Sequence, residues 1–143
     1  MAESKYSKYI VPAKTNQSVF KQITVPQVNI FGGRDLENLP FTMNWSLLTQ
    51  PFVMVEYPHT HDFNQVILFM GGNPRDVSKF NAEIEIYLGD EGEKQVIKTP
   101  SFIYIPAGLW HGPLNIKAVN EPIMYMDFPL TPKYEMKQQK KPA

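Results

Sequence analysis

Along much of this chain apolar and polar residues alternate with a period of two. In residues 41–48, Phe41, Met43, Trp45 and Leu47 take one face while Thr42, Asn44, Ser46 and Leu48 take the other. Successive side chains of a strand point to opposite faces, so this alternation predicts a half-buried strand. Residues 52–57 resume the pattern after Pro51, and residues 82–88 repeat it, with Ile84, Ile86 and Leu88 opposite Glu83, Glu85 and Tyr87. Residues 65–70 are apolar on both faces, which predicts a strand covered on both sides. Further strands are expected over 25–30, 95–97, 101–105 and 119–128. Turns are expected at Gly32-Gly33-Arg34-Asp35, at Gly71-Gly72-Asn73-Pro74 and at Gly89-Asp90-Glu91-Gly92. No helical period, internal repeat or low-complexity block interrupts them. About eight to ten short strands with frequent turns predict an all-β sandwich or barrel.

Composition sharpens this picture. The 143 residues suit one domain with a real core. Thirteen prolines, spread along the chain, punctuate short segments and disfavour long helices. A polar arm over 1–18, a β-barrel domain over 19–132 and a flexible C-terminal tail over 133–143 divide the chain, the tail carrying its one basic run. Formal net charge is zero, so nothing marks a nucleic-acid footprint. With no cysteine, disulfides, thiolate ligands and thiol catalysis are excluded. The N-terminus lacks an apolar signal core and no stretch approaches the roughly 20 apolar residues of a membrane span. The expectation is a cytoplasmic protein with no membrane or nucleic-acid partner.

Candidate chemistry concentrates at the only three histidines, His59, His61 and His111. Histidine is the commonest protein ligand of first-row metals. On a regular strand His59 and His61 share a face, and the same parity carries on to Phe63 and Gln65 while Asp62 and Asn64 turn away. Parity therefore makes Gln65 a better fourth ligand than Asp62. His111 follows Pro106-Ala107-Gly108, a turn that can bring a distant strand to the same place.

The ordered set His59, His61, Gln65 and Gly72, followed by Pro106, Gly108, His111 and Asn115, resembles the two motifs of the cupins. Gln65 stands where the family motif has Glu, and Val53 and Pro100 stand where each motif normally opens with Gly. The motifs span residues 53–115, and the segment between them, 73–99, holds an additional hairpin's worth of sequence. The resemblance implies a double-stranded β-helix, or jelly-roll barrel, a mononuclear metal site with His59, His61, Gln65 and His111 as ligands, and a homodimer. One divalent transition metal per chain is expected, drawn from Fe, Mn, Ni, Co and Zn, since ligand affinity alone does not choose among them. Each histidine must be neutral to bind, so metal affinity is expected to fall as pH drops through roughly 6.5.

A neutral Gln in place of a carboxylate, whether Gln65 binds through its carbonyl or stands behind the ligands and orients a water, leaves more positive charge on the metal, which suits Lewis-acid work on a substrate oxygen. The expected function is that of a metal-assisted isomerase, lyase or hydrolase acting on a small oxygenated organic substrate. An Fe(II)-type dioxygenase and a non-catalytic small-molecule binding cupin are the alternatives. Glu83 and Glu85 are the acid–base candidates if their face turns inward. Trp45, Phe69, Tyr104 and Met126 are candidate substrate-binding walls, and Asn115 is read as structural.

Overall fold

A computed structural model describes residues 4–141 of the protein. A single turn of 3-10 helix, Ser7–Tyr9, precedes β1 (Thr15–Asn16) and β2 (Gln27–Phe31), and the Gly-Gly-Arg-Asp turn closes as a one-turn helix, α1 (Gly32–Asp35). The remaining elements are β3 (Thr42–Leu48), β4 (Phe52–Val55), β5 (His59–Thr60), β6 (Gln65–Gly71), β7 (Ala82–Leu88), β8 (Glu93–Ile97), β9 (Ser101–Ile105), β10 (His111–Val119), β11 (Ile123–Pro129) and β12 (Gln138–Gln139). Among the described residues no helix is long and apolar enough to cross a membrane.

Every strand pairing is antiparallel. One sheet runs β1-β2-β3-β11-β6-β9 and the second runs β12-β5-β10-β7-β8, with β4 also on β10. Only β1-β2-β3 and β7-β8 are neighbours that follow one another in sequence; the other pairings join distant strands, so the chain passes repeatedly between two facing layers. Phe69, Ile67, Ile103, Ile105, Ile123 and Leu48 from the first sheet meet Ile84, Ile86, Leu114, Ile116, Phe52 and Met54 from the second, all buried. Ile84 and Ile86 are 0% and 1% exposed, so the opposite face of β7 turns outward. Glu83 and Glu85 therefore lie outside the barrel, 3.6 Å from Lys98 and 3.8 Å from Lys94 respectively.

The alternation in β3 resolves the opposite way from simple hydrophobicity. Thr42, Ser46 and Leu48 are buried, and the Asn44 side chain joins them on the inner face. The neighbouring strands extend this polar row. Asn44 is in register with Asn29 of β2 and with Asp127 of β11, and Ser46 with Tyr125. Side chain to side chain, the Asn44 amide donates to Asn29, and the Ser46 hydroxyl lies 3.1 Å from Gln27 Oε1 and 2.9 Å from Asn44 Oδ1. Buried polar groups are tolerable because they satisfy one another. The apolar partners in the same strands, Met43, Trp45 and Met126, face outward.

Candidate metal centre

His59, His61 and His111 come from two connections that the fold forces together. β5 and β10 pair so that His59 lies directly opposite His111. The Pro106-Ala107-Gly108-Leu109 turn precedes β10; the Leu109 N–H donates to Pro106 O at 3.1 Å, and Gly108 adopts a φ of +85°. That left-handed backbone is the reason for a glycine. The Gly108 N–H then donates to His61 O at 2.9 Å, tying the turn to the histidine loop. Beyond β5 the chain leaves regular strand geometry over 61–64, so strict parity does not carry through. His61 is nevertheless buried, and Gln65 re-enters at the head of β6, also buried.

All three imidazoles are oriented by backbone carbonyls. His59 Nδ1–H donates to Tyr57 O (3.3 Å), His61 Nδ1–H to Glu135 O (2.6 Å) and His111 Nδ1–H to Leu109 O (2.9 Å). A carbonyl only accepts, so the proton is fixed on each Nδ1 and each Nε2 keeps a bare lone pair. The three ligand nitrogens lie within 4.8 Å of one another, and the ring centroids are 4.2–5.0 Å apart. Burial pushes all three below the ordinary histidine value, His111 to about 4, so all are neutral at pH 7.

Gln65 adds an oxygen to this set. Its Nε2 donates to Asp127 Oδ1 at 2.6 Å, which fixes the amide orientation because a carboxylate cannot donate. Among the described residues three buried side-chain polar atoms have no partner: Gln65 Oε1, His111 Nε2 and the remote Trp45 Nε1. Two of the three belong to the histidine cluster. A cation between them relieves both, and neutral imidazoles with an amide oxygen are an ordinary donor set for a divalent transition metal. The residues fit a metal.

A small cavity of about 40 Å³ is lined by His59, His111, Gln65, Asp127, Tyr125 and Tyr134 among others. A larger cavity of about 530 Å³ shares Asp127, Tyr125, Tyr134 and Val55 with it and continues past Gln27, Asn44, Met54 and Phe20. Burial pushes the Asp127 carboxyl up to about 6, partly offset by the Gln65 hydrogen bond. Burial and the neighbouring Asp127 charge hold the Tyr134 phenol above its usual value.

No protein-family model matches the chain, and no curated protein does. Solved structures do. Peruvianin-I, a cysteine peptidase from Thevetia peruviana latex, superposes with a TM-score of 0.61 at 12% identity, over 94% of this chain and 78% of its own. Oxalate decarboxylase from Bacillus subtilis gives 0.52 at 10% identity, over 86% of this chain but only 28% of its own. An Fe(II) form of HppE gives 0.50 at 10% identity, over 82% and 55%. The chain has the cupin fold. At these identities the likeness extends to the fold; this chain, for instance, has no cysteine with which to act as a cysteine peptidase.

On this cupin barrel His59, His61 and His111 form one cluster, and Gln65 lines the small cavity beside His59 and His111. Gly72 fits the first motif for a physical reason: a Cβ there would stand 2.4 Å from Pro122 O. Asn115 lies on the outer face of β10, in register with Glu85. Glu83 and Glu85, the sequence-based acid–base pair, are away from the histidines because Ile84 and Ile86 hold the inner face. Of the four candidate substrate walls only Phe69 points inward, where it is fully buried. Trp45, Tyr104 and Met126 face outward, Tyr104 being 61% exposed, because the inward parity belongs to Ser46, Ile103, Tyr125 and Asp127.

Asp127 and Tyr134 are the site residues that sequence reasoning passed over. Asp127 is one acid within an apolar strand, Met124-Tyr125-Met126-Asp127-Phe128, and a lone buried acid in such a run is a usable signal. Tyr134 belongs to the segment read as a tail. That segment runs back along the barrel: β12 pairs with β5, the Lys137 N–H donates to Thr60 O at 2.8 Å, and Lys137 Nζ lies 2.9 Å from Asp62.

Proposed function

We propose that this chain is a mononuclear divalent-metal enzyme acting on a small oxygenated organic molecule by isomerase, lyase or hydrolase chemistry. His59, His61, His111 and Gln65 Oε1 would hold the metal. When bound, it supplies Lewis-acid polarisation of a substrate oxygen. The observation carrying this reading is Asp127, a half-buried carboxyl hydrogen-bonded to Gln65 that lines both the small and the larger cavity.

Burial raises the Asp127 carboxyl above the ordinary carboxylate range and so makes it a better proton acceptor, the property that general acid–base work needs. Gln65 donates to Oδ1 and so aims the carboxylate. The second oxygen, Oδ2, is the atom that takes a proton from substrate and returns it. The walls around it supply mixed polarity: apolar Phe20, Ile23 and Met54, polar Gln27 and Asn44, and the charged Glu56 and Lys141. No arginine lines either cavity, which favours a substrate recognised through hydroxyl, carbonyl or enol oxygens over one clamped by a guanidinium.

The test is metal analysis of protein purified without added metal, beside His59→Ala and His111→Ala, followed by a substrate panel with Asp127→Asn. Stoichiometric metal lost in both histidine variants is expected, with turnover reduced about 10²–10⁴-fold in Asp127→Asn. Absence of metal in the parent would sink the reading. Oxygen uptake on the panel would replace it with the dioxygenase chemistry.

A further inference from the structure

Tyr134 touches the histidine cluster in a way that the ligand set above does not use. Its hydroxyl lies 3.3 Å from His61 Nε2, the nitrogen whose lone pair faces the cluster. Its ring packs edge-on against His61 with centroids 4.9 Å apart and lies 6.0 Å from Phe63, and Tyr134 lines the same small cavity as His59, His111 and Gln65. The next residue holds the other side of the same imidazole, since His61 Nδ1–H donates to Glu135 O at 2.6 Å. Two consecutive residues of the C-terminal segment thus grip both nitrogens of one histidine. The β12–β5 pairing and the Lys137–Asp62 ion pair fasten the segment just beyond.

Two donor atoms bound to one metal at about 2.0–2.2 Å, at tetrahedral or octahedral angles, lie roughly 2.8–3.6 Å apart. The Tyr134 oxygen and His61 Nε2 fall in that interval. In the metal-free site the phenolic hydrogen occupies the space between them, and a cation replacing it meets both atoms. We infer that Tyr134 is an oxygen ligand of the metal, delivered by the C-terminal segment to a centre whose other donors come from the barrel. The inference rests on the metal-enzyme reading above and adds to it a donor outside both sequence motifs. The segment becomes part of the site, and metal occupancy and its docking favour each other.

The experiment uses the full chain loaded with iron(III) as a spectroscopic probe and, separately, with zinc(II) in competition with a chelator. A tyrosine oxygen on iron(III) gives a visible phenolate-to-metal charge-transfer band, which a hydrogen bond to histidine does not. The parent is expected to show the band, Tyr134→Phe to lose it, and Tyr125→Phe, the other tyrosine lining the small cavity, to keep it. Zinc affinity in Tyr134→Phe is expected to fall by at least about tenfold. A parent that binds both metals without the band, or a band that survives Tyr134→Phe, would overturn the inference and leave the metal-enzyme reading intact. A parent that binds neither metal would overturn both.

Discussion

Gln65 and Asp127 behave as one unit. The amide donates to the carboxylate through Nε2 and leaves Oε1 without a partner in the cavity that Gln65 lines with His59 and His111. A Glu at this position, as the cupin motif has it, would face Asp127 with no proton to give unless one carboxyl stayed protonated. Gln65→Glu is therefore expected to lower the stability of the metal-free protein at pH 8 by about 1–3 kcal/mol, read from denaturant unfolding. Asp127→Asn in the same chain should restore most of that loss, because the amide it introduces can donate where Gln65 did. Additive losses in the double variant would contradict the coupling. The pH dependence of the metal-free protein has a definite sign. His59, His61 and His111 have folded values below their unfolded ones, so the unfolded chain binds more protons and stability falls as pH drops from about 6.5 towards the His111 value of about 4. Asp127, raised to about 6, works the other way and favours the folded state as pH falls through that value. Three groups outweigh one, so the unfolding midpoint should fall on acidification, and Asp127→Asn should steepen the fall. A midpoint that rises between pH 6.5 and 4 would rule this balance out.

At the scale of elements, what was legible followed from patterns that repeat. The strands over 65–70, 82–88 and 101–105 stand close to where alternation and turn residues put them, and both histidine motifs fall at strand starts. The C-terminal segment was not legible for a physical reason. It joins the barrel through backbone hydrogen bonds to β5 and His61, the Lys137–Asp62 ion pair and one aromatic side chain, none of which leaves a hydrophobic period in Lys133-Tyr134-Glu135-Met136-Lys137. The short β5 and the bent residues 61–64 were also beyond parity counting, since two strand residues fix no phase. Two turn glycines carry different loads, and that difference is measurable. At Gly72 an added Cβ would lie 2.4 Å from Pro122 O, backbone that anchors the start of β11, whereas at Gly108 nothing lies within 4 Å and only the positive φ resists. Gly108→Ala should cost about 1–2 kcal/mol, and Gly72→Ala clearly more, since backbone must move as in an overpacked core. Equal melting temperatures for the two variants would show that the Pro122 contact relaxes freely.

For the whole molecule, the polar row Asn29, Asn44 and Asp127 lies inside and a row of large apolar side chains lies outside. Residue type alone sends Trp45, Met126 and Tyr104 inward, and the register sends them out. Phe102, Leu68, Met126, Trp45 and Val28 stand in one cross-strand row over five strands, with Tyr104, Val66 and Phe128 in the next. These two rows carry no charged residue; Phe102 and Tyr104 at the β9 edge are 73% and 61% exposed, whereas Leu68 is buried and Trp45 and Met126 are half-buried. The exposed aromatic edge of this apolar face, at Phe102 and Tyr104, calls for a cover. The homodimer expected from the sequence would supply one, because an uncharged apolar sheet is complementary to itself and a two-fold pairing brings like residues together. The N-terminal segment lies only at the far end of this face, where Val11 to Lys14 line a cavity with Val28 and Met43 and β1 pairs with β2. Light scattering after size exclusion at micromolar concentration should therefore give the mass of two chains. Phe102→Asp places a carboxylate on each copy within that interface and should shift the mass to one chain. Metal content should be unchanged, since Phe102 faces away from the histidines. A parent with the mass of a single chain, or a variant that stays paired, would mean that this face is covered by something other than its own copy.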